Sequence, residues 1–461
     1  MSTARLMVAG VEPSPVLDLV AGALLAGFGE QRPVRPILLG LDLSLWRLVY
    51  NVSARSPRVL DPVLFAGDVA KELCDAWAQK MDLALFIAVP PFVERWEGVS
   101  GSRPCDVAVA VDAPVVLVVD ARERGASAAA ALMGSRVMAK RAEIGGVIVV
   151  GADESPAAVE LMEALRRDVG LPLLGRVPPQ LSEQFVRQHA SSAGKARTIS
   201  PGSKRSASES LCQEAAGYLD LHEIEAIARR CGYVPSAPRR LLTCPSQGGR
   251  VSVAVAWGPP LQPLGLENID VLQAMGVELV PLNLAKDREL PSNVDGVFLA
   301  GQIDEREIDA FAANKALQEE LRAAISDGLP AVAMGGGALL LLQRLADSRG
   351  RAYDLVGVLP AEAELIETYD RPLYVRGTAT RQNPFDEGSH VLYELFDLEF
   401  SLLEQGSFAY QVSASAEPHD PPQAEGFVVK RCLATTLSLS FATSPQLATR
   451  FLSVMRFLQG R

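Results

Sequence analysis

The chain has 461 residues, of which 48% are hydrophobic and 21% are charged, and its formal net charge is −11 at pH 7. This length exceeds that of one ordinary domain, and the composition belongs to a globular protein rather than a disordered or fibrous one. The acidic balance argues against a broad nucleic-acid-binding or anionic-membrane surface.

Cysteine and histidine usage gives no sign of a disulfide framework or a metal motif. The six cysteines contain no Cys-x-x-Cys pair, and the four histidines are isolated from one another. The start lacks a basic segment followed by an apolar core, and the longest apolar stretch, residues 107–119, is interrupted by Asp112. We therefore predict a cytoplasmic protein with reduced thiols, no membrane span, no metal and no cofactor.

The first part of the chain alternates short apolar runs with amphipathic stretches. The runs of strand length are residues 6–9, 36–39, 83–89, 114–119 and 146–150, with a further candidate at 171–177. Helical patterns lie between them at residues 16–28, 62–80, 126–140 and 157–168. Continuous apolar strands that alternate with helices predict a parallel sheet covered on both faces.

A segment of different composition follows. Residues 190–210 are small, polar and basic, without periodicity, which predicts a loop or linker. A basic docking segment for an acidic partner is the alternative interpretation. One helix is expected from about residue 211 to 230, followed by a connector to about residue 250.

A second α/β run occupies the rest of the chain. Strands are predicted at residues 251–257, 278–281, 296–300, 331–334 and 433–441, and helices at 271–275, at 308–327 and from Pro445. The fold class is therefore α/β, with two domains that each have a mainly parallel sheet flanked by helices. We assign residues 1–189 to the first domain, 190–250 to the linker and 251–461 to the second domain.

Several segments, in the same order along the chain, resemble the cobyrinic acid a,c-diamide synthase family. They are the segments 58–62 (RVLDP), 113–120 (APVVLVVD), 267–268 (EN), 356–360 (VGVLP) and 425–442. The resemblance implies a dethiobiotin-synthetase-like, P-loop NTPase-like domain followed by a class I glutamine amidotransferase-like domain. Members of that family make tetrapyrrole amides: ATP activates a carboxylate, and ammonia released from glutamine captures it.

The stretch that corresponds to the P-loop departs from that family's pattern. A P-loop needs glycines, a lysine for the phosphate charge and a Ser or Thr for Mg²⁺. Here Leu17 stands where the lysine is expected and Asp18 where the Ser or Thr is expected, while Pro13 and Pro15 each remove an N–H donor. The degenerate loop positions are Gly10, Ser14, Leu17 and Asp18, and we predict that the loop does not bind ATP in the usual way.

The amidotransferase half departs from the pattern in the same way. Glutamine hydrolysis needs a cysteine thiolate on a strand-to-helix turn and a histidine that activates it. The turn is recognisable, but Gly335 occupies the nucleophile position, and the family's His-x-His-Phe strand has Ser438 and Ser440 in place of both histidines. The resemblance therefore predicts no catalytic residue at these positions.

These losses favour a pseudoenzyme that serves as a structural or regulatory subunit of an amidotransferase- or tetrapyrrole-related complex, within cobalamin biosynthesis or a related pathway. Its protein partner would be an active homologue or a tetrapyrrole enzyme, and the resemblance implies a homo- or hetero-dimer. Two alternatives remain open: an enzyme of unfamiliar chemistry on the same scaffold, or a residual ATP-dependent tetrapyrrole carboxylate amidase.

Six residues are candidate contacts for a ligand or partner: Asp42, Phe92, Trp96, Asp120, Arg122 and Glu267. Asp42 and Asp120 follow predicted strands, where ligands bind in open α/β sheets, although a solvated carboxylate is the plainer interpretation of each. Arg122 suits a carboxylate or phosphate, or simple solvation. Phe92 and Trp96 belong to a loop predicted to contact a partner.

Overall fold

The computed structural model describes residues 3–30, 32–65, 67–79, 81–95, 101–122, 125–192, 207–231, 241–242, 250–414 and 421–460. The chain divides into two compact units, Met1–Pro238 and Arg239–Arg461. Both are α/β units, as the sequence predicts.

The first unit contains a seven-stranded sheet. Its strands are β1 Ala4–Gly10, β2 Val34–Leu39, β3 Arg58–Leu60, β4 Leu83–Ala88, β5 Val115–Asp120, β6 Ile144–Val150 and β7 Leu173–Val177. The spatial order is β3-β2-β4-β1-β5-β6-β7, and every neighbouring pair is parallel. The predicted parallel sheet is confirmed, and β3 is an additional short strand.

Nine α-helices accompany this sheet among the described residues. They are α1 Val16–Gly29, α2 Leu43–Ser53, α3 Gly67–Ala78, α4 Pro104–Ala110, α5 Ala126–Met138, α6 Pro156–Ala164, α7 Pro179–Ser192, α8 Ala207–Ala216 and α9 Leu221–Ala228. Helix α1 is apolar on nearly all sides, and it is enclosed by the sheet, α2 and α8.

Two helix predictions in this unit need correction. The helix predicted at residues 62–80 begins only at Gly67. Asp61 accepts hydrogen bonds from the backbone N–H groups of Val63 and Phe65, and these bonds form a turn before the helix. The single helix expected at residues 211–230 is two helices, since a turn separates α8 from α9 and Asp220 caps the second.

The second unit contains a twelve-stranded sheet. Its strands are β8 Val251–Ala256, β9 Leu261–Gln262, β10 Val277–Leu282, β11 Gly296–Ile303, β12 Ala331–Gly335, β13 Arg344–Ala346, β14 Ala352–Asp354, β15 Ala361–Ala379, β16 Ser389–Leu402, β17 Ser407–Ala414, β18 Gln423–Val429 and β19 Cys432–Thr435. The run β10-β8-β11-β12-β19 is parallel. Strands β15 to β18 extend it as antiparallel neighbours.

The helices of this unit are α10 Leu266–Ala274, α11 Ile308–Ala312, α12 Lys315–Ser326, α13 Gly336–Leu339 and α14 Pro445–Gln459. The predicted helix at residues 308–327 is broken at Asn314, whose side chain donates to the carbonyls of Leu284 and Asp287. The helix predicted at residues 271–275 begins earlier, at Leu266.

The predicted strand at residues 433–441 is also corrected, because only Cys432–Thr435 is a strand. Beyond it the backbone leaves the ladder, and Ser438 exchanges two backbone hydrogen bonds with Tyr393 on β16. The segment 436–441 therefore does not continue β19. Of the described helices, none combines the length and the apolar character that a membrane crossing requires.

Candidate functional site

In the first unit, the central strand β1 lies between β4 and β5, where the strand order changes direction. Ligands bind beyond the carboxyl ends of the strands at such a switch point. The loop 11–15 follows β1 there, and Asp120 ends β5 beside it. The fold therefore brings the P-loop-like stretch and Asp120 to one place.

Three side chains, Ser14, Asp120 and Arg122, form a polar group that we call the Asp120 cluster. Ser14 Oγ donates to Asp120 Oδ2 at 2.6 Å, and the Arg122 guanidinium donates to both carboxylate oxygens at 2.9 and 2.6 Å. The backbone N–H of Arg122 also donates to Asp120 Oδ1 at 3.1 Å. The carboxylate is 8% exposed and is held by four donors, so the candidates Asp120 and Arg122 bind each other.

The charge of Asp120 is stabilised by these contacts. Burial alone would raise the pKa of this carboxyl, but the hydrogen bonds from Arg122 and Ser14 outweigh burial and hold the pKa below its ordinary value. Asp120 is therefore a carboxylate at neutral pH, and its charge faces the end of the loop that would have to receive a phosphate.

The loop offers few backbone donors. Val11 N–H donates to Val118 O, and the N–H groups of Val16 and Leu17 donate to Ser14. Pro13 and Pro15 have no N–H, so five of the seven residues from 11 to 17 have no N–H left for an anion. Leu17, where the family's lysine is expected, is 7% exposed and packs into the core.

The loop predicted to contact a partner contains the candidates Phe92 and Trp96. Phe92 is fully buried, its N–H donates to Gly10 O and its carbonyl accepts from Cys105 N–H. It therefore belongs to the core and cannot present a partner surface. Trp96, the second member of that predicted contact, lies outside the described residues.

Asp42 is the N-cap of α2, where its Oδ1 accepts from Leu45 N–H at 3.0 Å. Replacing it with alanine is expected to lower the free energy of unfolding by about 1 kcal/mol, because that donor loses its acceptor. Urea denaturation followed by circular dichroism measures the change. Asp42→Asn keeps the acceptor and should stay close to the wild type, and equal losses in both variants would contradict the capping role.

In the second unit, the chain passes directly from β12 into α13 at Gly335. This glycine has φ 57° and ψ −128°, the backbone of a sharp strand-to-helix turn that presents a nucleophile in other α/β enzymes. A Cβ placed on Gly335 would lie 3.1 Å from Gly301 O and 3.3 Å from Ser438 Oγ. The structure thus brings Gly335 and Ser438 together, as the resemblance implies for nucleophile and base.

Hydrogen bonds of Ser440 and Asn268 hold the segment 436–441 in place. Ser440 is 1% exposed, and its Oγ accepts from Ala442 N–H at 3.3 Å, so it forms part of a local turn. Asn268 donates to Leu439 O and accepts from Phe441 N–H. Its neighbour Glu267 is 7% exposed at the first turn of α10.

Sequence interpretation missed one cluster in this unit. Asp386, His390, Ser444 and Tyr410 form a continuous chain of hydrogen bonds. The only local signal is the spacing of Asp386 and His390, four residues apart on either side of a turn. Among the described residues, no group of three or more His, Cys, Asp or Glu side chains is placed to hold a metal ion.

The chain is similar to known proteins along nearly its whole length. A family model described as the CobB/CobQ-like glutamine amidotransferase domain matches residues 252–444. Cobyrinate a,c-diamide synthase of Caldanaerobacter subterraneus subsp. tengcongensis is 24% identical over 451 residues, covering 97% of each chain. The protein of that name from Dehalococcoides mccartyi strain CBDB1 is 25% identical over 466 residues, covering 99% of each. The chain is a homologue of the cobyrinate a,c-diamide synthases.

The likeness to these synthases confirms the resemblance proposed from segments such as 58–62 and 425–442. Among solved structures, a glutamine amidotransferase is 17% identical and covers 44% of this chain and 98% of its own, with a TM-score of 0.33. The septum site-determining protein MinD of Pyrococcus horikoshii, complexed with Mg-ADP, is 18% identical and covers 50% and 96%, with a TM-score of 0.30.

Proposed function

We propose that this homologue of cobyrinate a,c-diamide synthase has lost both reactions of that family, and that it serves as a structural or regulatory subunit beside an amidotransferase or a tetrapyrrole enzyme. The observation that carries the proposal is Gly335, which occupies the nucleophile position of the strand-to-helix turn and has no side chain that could attack an amide.

The surroundings of Gly335 support the loss of glutamine hydrolysis. The side chain that faces this position is the hydroxyl of Ser438, which is neither a thiolate nor an imidazole base. Cys432 begins the neighbouring strand β19, but it is fully buried and burial raises the pKa of its thiol to about 12. Such a thiol stays protonated and is not a nucleophile.

The Asp120 cluster supports the loss of ATP use. A triphosphate at the end of β1 would meet the carboxylate of Asp120, whose stabilising cation, Arg122, is already bound to it. Since the loop lacks both a lysine and most of its N–H donors, nothing in it offsets that repulsion.

A partner surface is supported by helix α5 in the first unit. Met133, Val137 and Met138 on this helix are 43%, 64% and 59% exposed. Exposed apolar groups of this kind favour contact with another protein. We propose a homo- or hetero-dimer in which the retained scaffold, rather than its chemistry, is what the partner requires.

The proposal is tested on the purified full chain with Mg-ATP and with glutamine. Calorimetric titration should detect no binding of Mg-ATP at millimolar concentration, and no glutamate should form above the rate without protein. Ser438→Ala is the matched control, because it changes only the hydroxyl that faces Gly335. Affinity purification from the source cells should recover a stoichiometric protein partner. Glutamate formation that disappears in Ser438→Ala, or tight Mg-ATP binding, would contradict the proposal.

A further inference from the structure

The chain of hydrogen bonds missed by sequence interpretation links β16, β17 and the start of α14. His390 Nε2 lies 2.9 Å from Asp386 Oδ1, and His390 Nδ1 lies 2.7 Å from Ser444 Oγ. Tyr410 Oη donates to Asp386 Oδ2 at 3.1 Å, and Gly388 N–H donates to Oδ1 at 2.9 Å. A serine, a histidine and a carboxylate are thus linked in series by hydrogen bonds, and we call Ser444, His390 and Asp386 the line.

The polarity of this line follows from Asp386. Burial would raise the pKa of its carboxyl, but the hydrogen bonds from His390, Gly388 and Tyr410 outweigh burial and hold the pKa below its ordinary value. An ionised carboxylate only accepts, so in the neutral form of the imidazole the hydrogen resides on Nε2 and Nδ1 carries the lone pair. The hydroxyl of Ser444 therefore donates to Nδ1, which is the direction needed for a base to take its proton.

The hydrogen bonding of Ser444 is unusual for the N-cap residue of a helix. A serine there normally accepts from a backbone N–H of the first turn, yet Ser444 makes no such side-chain cap on α14. Its hydroxyl is directed to His390 instead. The imidazole keeps 18% of its side-chain surface exposed, whereas Asp386 keeps 4% and Ser444 is 2% exposed, so solvent reaches this group of side chains at His390.

This line is separate from the Gly335 turn. Ser438, which faces Gly335, is bonded through its backbone to Tyr393. His390 precedes Tyr393 by three residues on β16, a displacement of about 10 Å along a strand. The two positions therefore differ, and the failure of one proposal leaves the other standing.

We propose that Ser444, His390 and Asp386 form a nucleophilic site that cleaves a small carboxylic ester. Ser444 Oγ bonds to the ester carbonyl carbon while its proton passes to His390 Nδ1, and Asp386 stabilises the imidazolium. The ester C–O bond then breaks, and the alcohol leaves with that proton. Water attacks the acyl carbon and gives a proton to Nδ1; the Ser444 oxygen takes it back as the carboxylic acid departs. Because Ser444 is 2% exposed, the acyl group must be small.

The test is covalent labelling of the full chain with a short alkyl fluorophosphonate, followed by mass spectrometry of the modified peptide. We expect the label on Ser444 of the folded wild type, and a rate at least 100-fold lower in His390→Ala. Ser444→Ala should carry no label on this peptide. Ser453→Ala is the matched control on α14, where the hydroxyl donates to the backbone carbonyl of Thr449, and its labelling should equal that of the wild type.

The wild-type experiment decides the matter even if a variant fails to fold, which circular dichroism of each variant would reveal. No label on Ser444 of the folded wild type, with a serine hydrolase labelled in parallel, would overturn the site. Labelling that persists at an equal rate in a folded His390→Ala protein would overturn it as well, because the imidazole would then have no part in activating the hydroxyl.

Discussion

Replacing Gly337 with alanine is expected to lower the free energy of unfolding by about 3 kcal/mol or more. A Cβ on Gly337 would lie 2.1 Å from the carbonyl oxygen of Leu299 and 2.5 Å from its carbonyl carbon. Both atoms belong to the backbone of β11, so no side-chain rotation relieves the overlap, and the strand or the turn at Gly335 must move. Overpacking of this kind costs about 1–3 kcal/mol, and more where the backbone itself is displaced.

Chemical denaturation of the full chain, followed by circular dichroism, measures the effect of Gly337→Ala. Gly406→Ala is the matched control in the same unit, since its Cβ would meet Phe427 at 3.5 Å, an ordinary van der Waals distance. The control should unfold at nearly the denaturant concentration of the wild type. Equal midpoints for Gly337→Ala and the wild type would show that the turn tolerates a side chain and does not need this close approach.

Much of the first sheet is predictable because its strands are buried on both faces. The runs at β5 and β6 are apolar without interruption, and in a parallel sheet such a run is a strand. The helix α4 was missed because it precedes β5 within one apolar stretch. Asp112, with φ 49°, separates the two elements, and the sequence shows only that the stretch is interrupted there.

The antiparallel part of the second sheet is less predictable. Strand β15 carries many charged residues and is exposed along much of its length, and it pairs with β16 through irregular register. Such strands lack the apolar run that identifies β5, because they have one solvated face or two. The sequence therefore indicates strands in this region without fixing their bounds.

The candidate sites also differ in how far the sequence predicts them. The neighbourhood of Gly335 and Ser438 could be predicted, because the resemblance carries both positions. Asp120 and Arg122 were predicted as separate ligand contacts, and only the structure shows that the arginine turns back onto the carboxylate two residues before it. His390 and Ser444 are 54 residues apart, so only tertiary structure can join them.

Replacing Asp120 with alanine is expected to lower the free energy of unfolding by about 3 kcal/mol at neutral pH. The change removes the acceptor of Ser14 Oγ and of two guanidinium hydrogen bonds of Arg122. Removing one partner of a buried ion pair costs about 3–5 kcal/mol, and the lower value applies here because the Arg122 side chain keeps 25% of its surface exposed. The double variant Asp120→Ala/Arg122→Ala should recover part of the loss, because it no longer leaves the cation without this carboxylate.

The effect of Asp120→Ala should also depend on pH in a defined direction. Since the pKa of Asp120 is lowered in the folded protein, the carboxylate stabilises the fold fully above its pKa in the unfolded chain, about 3.9, and this contribution is lost as the pH falls through the lower folded value. Denaturation of wild type and variant between pH 7 and pH 2 should show a difference that is constant down to about pH 5 and then narrows. A difference that stays constant to the lowest pH would mean that the ionised form of Asp120 is not what stabilises the cluster, and that its negative charge does not oppose phosphate binding at this loop.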